Sequence, residues 1–484
     1  MASRSAQHAE LAYALITPYS LHKSRTGGIL ARLLWANVRI VAARMYAPRP
    51  GSNLTREYCD AIYDPRERHI PLRYQKMLIE YITQNFARPN ARGISNRMML
   101  LVLRGPNAQR DVTEAVGHVS QAVRGDHVRG TFGDFFSEET ASAAVHEVHR
   151  RSSEALSRYL ELQKIESPPR RDCFFEPAVL TGVTPEMTEA HLKLFRTCAY
   201  TDGGFVLDAI EGIDTSSFET SMVILKPESF RHRNPLPGNL VDFFARTGMY
   251  ITGAKMMHMS RERASAFYSL KVPQFREQLK GMVERKARDI VEKARQMARV
   301  AVETLGADPK EAFDPKRAIP AVKEAEYLFR RPEQGEPGEV KGPVLKEIFR
   351  ILAERLDSLE PDESFYAELA EDLKEVNAQA EFNELIRYIS GEDPETGRPL
   401  QDGPETLCLA LLYSGANGLK VIRTRLKELR EIYGRNILQN RAHASDPEED
   451  PVREMEILGM PSAPGGETRP CDVERVVSEF YGPG

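Results

Sequence analysis

One histidine in this chain stands among residues suited to phosphoryl chemistry. His443 opens the run His443-Ala-Ser445-Asp446, Asn440 lies three residues before it, and Glu454 follows eleven residues after it. Arg423 and Arg430 precede it on a charged stretch, and far upstream Lys226 closes an apolar run just before Pro227. Moving a phosphoryl group needs cations around the phosphate oxygens and a nucleophile placed for in-line attack. A neutral imidazole can be that nucleophile when an acceptor holds its other ring nitrogen, and Lys226, Arg423 and Arg430 would supply the positive field. Each residue also has a plain reading. A histidine beside Ser and Asp can be a hydrogen-bonded loop residue, Ser445-Asp-Pro447-Glu can cap a helix, and Arg423 to Arg430 can be a solvated helix face.

The elements that would position these residues occur twice. An apolar run ending at a proline, a glycine-started amphipathic helix and a second apolar run appear at Leu11 to Pro18, Gly28 to Leu34 and Val38 to Met45. They recur at Ser221 to Pro227, Gly238 to Phe244 and Met249 to Met256, and the spacing from Gly28 to Tyr58 equals that from Gly238 to Tyr268. A third apolar run follows in each copy, Arg97 to Leu103 and Leu407 to Tyr413, each passing through a turn into a helix. Strands alternating with helices in this order predict an α+β protein with two ferredoxin-like, split β-α-β sheets and helices on one face.

The second copy resembles the nucleoside diphosphate kinase family. That family carries a catalytic His in a His-Gly/Ala-Ser-Asp motif, an Asn three residues before it, a Glu eleven after it, and an Arg in an upstream Ile-Arg-Gly-Asp-Phe segment. Asn440, His443, Ser445, Asp446, Glu454 and Arg430 match those spacings, and Ile224-Leu-Lys226-Pro227 is similar to the family's strand end. Arg423, eight residues after Gly415, matches the helix arginine, and Tyr268 falls where the family has a tyrosine. The resemblance implies ping-pong transfer of a γ-phosphate from a nucleoside triphosphate to a diphosphate through phosphohistidine at His443. It further implies that Glu454 orients the ring, that Ser445 joins the same network, and that Tyr268, Phe382, Asn440, Lys226, Arg423 and Arg430 bind the nucleotide. Mg²⁺ would arrive with the nucleotide rather than in a protein metal site.

This copy also departs from the family pattern. Only six residues separate Arg423 from Arg430, the base-stacking aromatic pair reads Glu381-Phe382, and Glu228-Ser229 replaces the family's Asp-Gly. The rival reading is therefore a catalytically inactive nucleotide-binding or scaffold protein of the same fold. The first copy has Thr17 where the lysine belongs and Thr113 where the helix arginine belongs. It keeps Tyr58 and Arg129-Gly-Thr-Phe-Gly-Asp-Phe135, while His146 and His149 near the expected distance lack a following Ser-Asp. A structural or regulatory role without kinase activity is expected for it.

The 484 residues predict several domains: 1–160 as the degenerate copy, 161–218 as a connecting segment with some structure of its own, and 219–274 plus 381–462 as the second copy. A helical insertion is expected over 275–380, from apolar residues at three- and four-residue spacing, and an extended arm over 463–484. A net charge of -4 argues against nucleic acid or a membrane surface as partner, because both select a basic excess. Five scattered cysteines suggest neither a disulfide frame nor a zinc site, and no run of membrane-spanning length occurs, so a cytoplasmic location is expected. Nucleoside di- and triphosphates are the expected partners. The family assembles into oligomers, so a homo-oligomer or an intrachain pseudo-dimer of the two copies is expected.

Overall fold

The computed structural model describes residues 9–88, 90, 93–119, 125–135, 175–230, 234–270, 272–273, 288, 291–292, 363–391, 407–434, 440–446, 450–461 and 471–482. They divide into two compact units, one built from 1–259 and 401–484, the other from 260–400. His146 and His149, together with most of the expected helical insertion, lie outside the described residues.

The first unit opens with β1 (Glu10–Ile16), α1 (Pro18–His22), α2 (Thr26–Leu33), β2 (Arg39–Tyr46), α3 (Leu54–Ile62), α4 (Leu72–Asn85) and β3 (Met98–Gly105). It continues with α5 (Ala108–Val116), α6 (Val128–Phe132), the short strands β4 (Asp134–Phe135), β5 (Phe175–Glu176) and β6 (Val179–Leu180), and α7 (Pro185–Thr197). The second half begins with β7 (Phe218–Leu225), α8 (Leu236–Ala245) and β8 (Tyr250–His258). The other unit contributes α9 (Arg261–Tyr268) and the long α10 (Glu363–Ser390). The first unit then resumes with β9 (Leu407–Ala416), α11 (Gly418–Tyr433), β10 (Ala442–Ala444), α12 (Pro451–Ile457) and α13 (Asp472–Tyr481).

Two four-stranded antiparallel sheets result, and they repeat one strand order: β2-β3-β1-β6 and β8-β9-β7-β10. The protein is thus α+β, as expected. The segment 161–218, expected to connect the copies, supplies β6, the fourth strand of the first sheet. Period-two alternation explains why the strands read as continuous apolar runs. Ala12, Ala14 and Ile16 face one core, and Leu11, Tyr13 and Leu15 face another, so both sheet faces are covered.

The halves pack on each other through α2 and α8. A Cβ on Gly27 would fall 2.3 Å from the Asp242 backbone nitrogen, and one on Gly238 would fall 2.3 Å from that of Ala31. Only a missing side chain permits that approach. Strands β2 and β8, each with a register irregularity (Ile40/Ala42 and Ile251/Gly253), lie beside each other. They share one acceptor: Asp472 Oδ2 takes the amide hydrogens of Ala43 and Met256, each at 2.8 Å. The C-terminal tail, expected as an extended arm, is in part the helix α13. Val473, Val476 and Val477 fall on one helical face and, with Cys471 just before the helix, fill the first half's core, which stabilises the helix more than solvent could.

In the other unit α9 packs against α10. Tyr268 on α9 is buried with its ring edge-on to Phe267, and Phe382 is buried on α10. Among the described residues no helix is long and apolar enough to cross a membrane.

Candidate active site

The edge strand β10 carries the histidine. His443 pairs with Ile224 of β7 and Ala442 with Leu225. Directly paired residues share a face, and so do residues two apart on one strand. Lys226, two residues beyond Ile224, therefore lies on the sheet face of His443. Ala442, Ala444, Val223 and Leu225 occupy the opposite face and join the core under α8 and α11.

The next element holds the imidazole. Asp450 caps α12, accepting from the Val452 and Arg453 amides at 3.1 Å, and Pro451 suits the first helical position. This cap places Glu454 in the first turn with 1% exposure, and His443 Nε2 donates to its Oε1 at 3.0 Å. A carboxylate can only accept, so the bond keeps the proton on Nε2 and leaves the lone pair on Nδ1. His443 is 2% exposed as a residue.

Arg423 and Arg430 stand two turns apart on α11, on the other side of the sheet from Lys226, and both reach the edge strand. Arg430 Nη2 donates to Ala442 O at 3.0 Å, and Arg423 Nη1 to Ala444 O at 3.3 Å. Arg423 Nη2 also pairs with Asp446 at 2.6 Å. Lys226 is 2% exposed, and burial pulls its ammonium down to about 8. Glu228 opposes that fall, Arg430 adds to it, and Cys408 opposes it weakly. Lys226 follows the last residue of β7 and His443 lies on the strand paired beside it, while Arg430 reaches the edge strand from the helix side, close enough for its charge to act on Lys226. Ser445 is tied to the neighbouring strand, its Oγ accepting from Met222 N at 3.3 Å. Asn440 sits two residues before β10, its carbonyl accepting from Ala442 N at 2.8 Å. Tyr268 and Phe382 belong to the other unit.

The first half keeps the same frame with other side chains. Leu15 pairs with Leu180 and Ile16 with Val179, so Leu180 takes the place of His443 and Thr17 that of Lys226. Thr184 caps α7 ahead of Pro185 as Asp450 caps α12 ahead of Pro451, and Thr188 then stands where Glu454 does. One cation is retained. Arg129 Nη2 donates to Val179 O at 3.2 Å, as Arg430 does to Ala442 O. Burial draws its guanidinium down to about 10. The remaining space is filled: Tyr58 stacks on His191 with ring centroids 3.8 Å apart, and Tyr13 bonds both at 2.7 Å.

Sequence reasoning passed over Glu228 except as a departure from a motif, and it passed over Arg441. Both contact the backbone beside His443. Arg441 N donates to Glu228 Oε1 at 3.0 Å, and Arg441 O accepts from Lys226 N at 2.9 Å. Among the described residues no cluster of three or more His, Cys, Asp or Glu suits a metal ion. The chain matches no protein-family model and none of the curated proteins with which it was compared.

Proposed function

We propose that the second half is a phosphotransferase of the nucleoside diphosphate kinase type, with its sheet and helices in that family's ferredoxin-like arrangement. The carrying observation is the buried His443–Glu454 pair at 3.0 Å with Lys226 on the same sheet face. In the reaction the Nδ1 lone pair forms a bond to the γ-phosphorus as the bond to the β,γ-bridging oxygen breaks. The electron pair leaves with the nucleoside diphosphate. The Nε2 proton stays in its bond to Glu454, which stabilises the cationic phosphoimidazole. A second diphosphate then takes the phosphoryl group by the reverse step.

Lys226, Arg430 and Arg423 are suited to phosphate oxygens, with Lys226 as a point charge and the arginines as forks. Mg²⁺ would enter with the nucleotide and spread its charge over the phosphates. The first half, with Leu180, Thr188 and Thr17 at the corresponding places, is proposed as a structural partner of the second rather than a second enzyme. A cytoplasmic setting, where nucleoside triphosphates are plentiful, suits this activity.

One observation favours the rival reading of an inactive nucleotide-binding or scaffold protein: a histidine 2% exposed is reached only when its surroundings open. Incubation of the full chain with γ-labelled ATP and Mg²⁺ separates the two. Acid-labile label on the wild type that is lost in His443→Ala supports transfer, and an unlabelled wild type supports the rival.

A further inference from the structure

The turn before β10 is strained in a way its sequence does not favour. Arg441 has φ +69°, and Ala442 N donates to Asn440 O at 2.8 Å, which closes a three-residue γ-turn around it. This turn, with a positive φ at a side-chain-bearing residue, persists only where the surroundings hold it. Two residues of the β7 end do so. Lys226 N donates to Arg441 O at 2.9 Å, and Glu228 Oε1 accepts from Arg441 N at 3.0 Å. Glu228 itself is carried on the turn Pro227–Ser229 and is 8% exposed.

The first half contains the same device built from different residues. Ala178 has φ +60°, Val179 N donates to Pro177 O at 2.6 Å, and Thr17 N donates to Ala178 O at 3.1 Å. Its strained amide also meets a buried carboxylate: Ala178 N donates to Glu176 Oε1 at 3.2 Å. Thr17 Oγ1 and Tyr81 OH each hold that oxygen at 2.9 Å. The carboxylate comes from two residues before the strained position in one half and from the neighbouring strand's end in the other. Both halves therefore meet one need by separate means.

That need follows from the shortness of β10, which has three residues with His443 in the middle. If the turn relaxed and the strand slipped by one residue, every side chain would change face, and His443 would leave the face of Lys226. The geometry points to Glu228 as the positioning residue of the site, its carboxylate holding the strained Arg441 turn so that His443 emerges beside Lys226. The inference rests on the phosphotransfer reading only for what His443 then does.

A double-mutant cycle in the full chain tests it. Glu228→Ala slows acid-labile labelling about tenfold, and Glu228→Gln, which keeps an acceptor oxygen, slows it less. Because Gly adopts positive φ without strain, Arg441→Gly in the Glu228→Ala background recovers most of the lost rate. In Glu228→Gln the alkaline limb of labelling moves to lower pH, since Glu228 is the main group raising the Lys226 ammonium, with Arg430 opposing it and Cys408 adding weakly. Wild-type labelling rates in Glu228→Ala, or no recovery with Arg441→Gly, overturn the inference. If the wild type takes no label, the phosphotransfer reading fails separately, and urea unfolding decides the turn. Loss of stability in Glu228→Ala that shrinks in the Arg441→Gly background supports the inference, and strictly additive effects overturn it.

Discussion

Replacing Lys226 by methionine should make the protein more stable and less active at once. Burial draws the ammonium from 10.5 to about 8, and at 1.36 kcal/mol per pH unit that is a destabilisation of about 3 kcal/mol carried by the charged form. The folded chain gives up this proton at lower pH than the unfolded chain. Between pH 8 and 10.5 the unfolded state therefore holds this proton more fully, and the contribution of Lys226 to stability rises with pH across that window. Below pH 8 the destabilisation is present in full, and above 10.5 it is gone. Methionine has a similar volume and no charge, so Lys226→Met gains up to about 3 kcal/mol at pH 7. The gain shrinks toward zero as pH passes from 8 to 10.5. Urea titrations of both proteins at pH 7, 8, 9 and 10 read the difference, in which titrating groups not coupled to Lys226 cancel. A gain that does not change with pH, or a methionine variant less stable than wild type at pH 7, refutes the argument. Labelling of the same variant by γ-labelled ATP should fall by about a hundredfold, the loss typical of one preorganised charge-stabilising group.

Glu454→Ala leaves the buried His443 Nε2–H without its acceptor, so urea unfolding should show a loss of about 1–3 kcal/mol and phosphohistidine formation should fall with it. Asp472→Ala removes the one acceptor shared by the Ala43 and Met256 amides. A loss of about 2 kcal/mol or more is expected, together with faster hydrogen exchange at those two amides. Gly238→Ala drives a methyl group to 2.3 Å from the Ala31 nitrogen and 2.5 Å from Gly27 O. Backbone cannot yield as a side chain would, so a loss of about 1–3 kcal/mol is expected by chemical denaturation.

The repeated architecture was legible because its signals are local. Leu11 to Pro18 read as a strand and a proline turn, and β1 spans Glu10–Ile16 with Pro18 starting a helix. Leu407 to Tyr413 read as a strand, and β9 spans Leu407–Ala416. Runs of this length carry a period that burial of both faces enforces. The eleven-residue spacing of His443 and Glu454 stands in the sequence, and their 3.0 Å contact is read from the structure.

What escaped the sequence has one physical origin: its meaning depends on partners distant along the chain. The two residues of β6 have no readable period, and they become a strand only by pairing with Leu15 and Ile16 some 160 residues earlier. The helix α13 looked like a tail because the surface that Val473, Val476 and Val477 cover is made elsewhere. Arg441 has nothing in its type that announces a positive φ, and Glu228 looked like a lost motif residue. The sequence alone determined the order of strands and helices and the spacing of the candidate site residues, because those are properties of neighbours. Only the tertiary structure decided which strand lies beside which and which carboxylate meets a strained amide, because hydrogen bonds formed across the sheet have no counterpart in the linear order of residues.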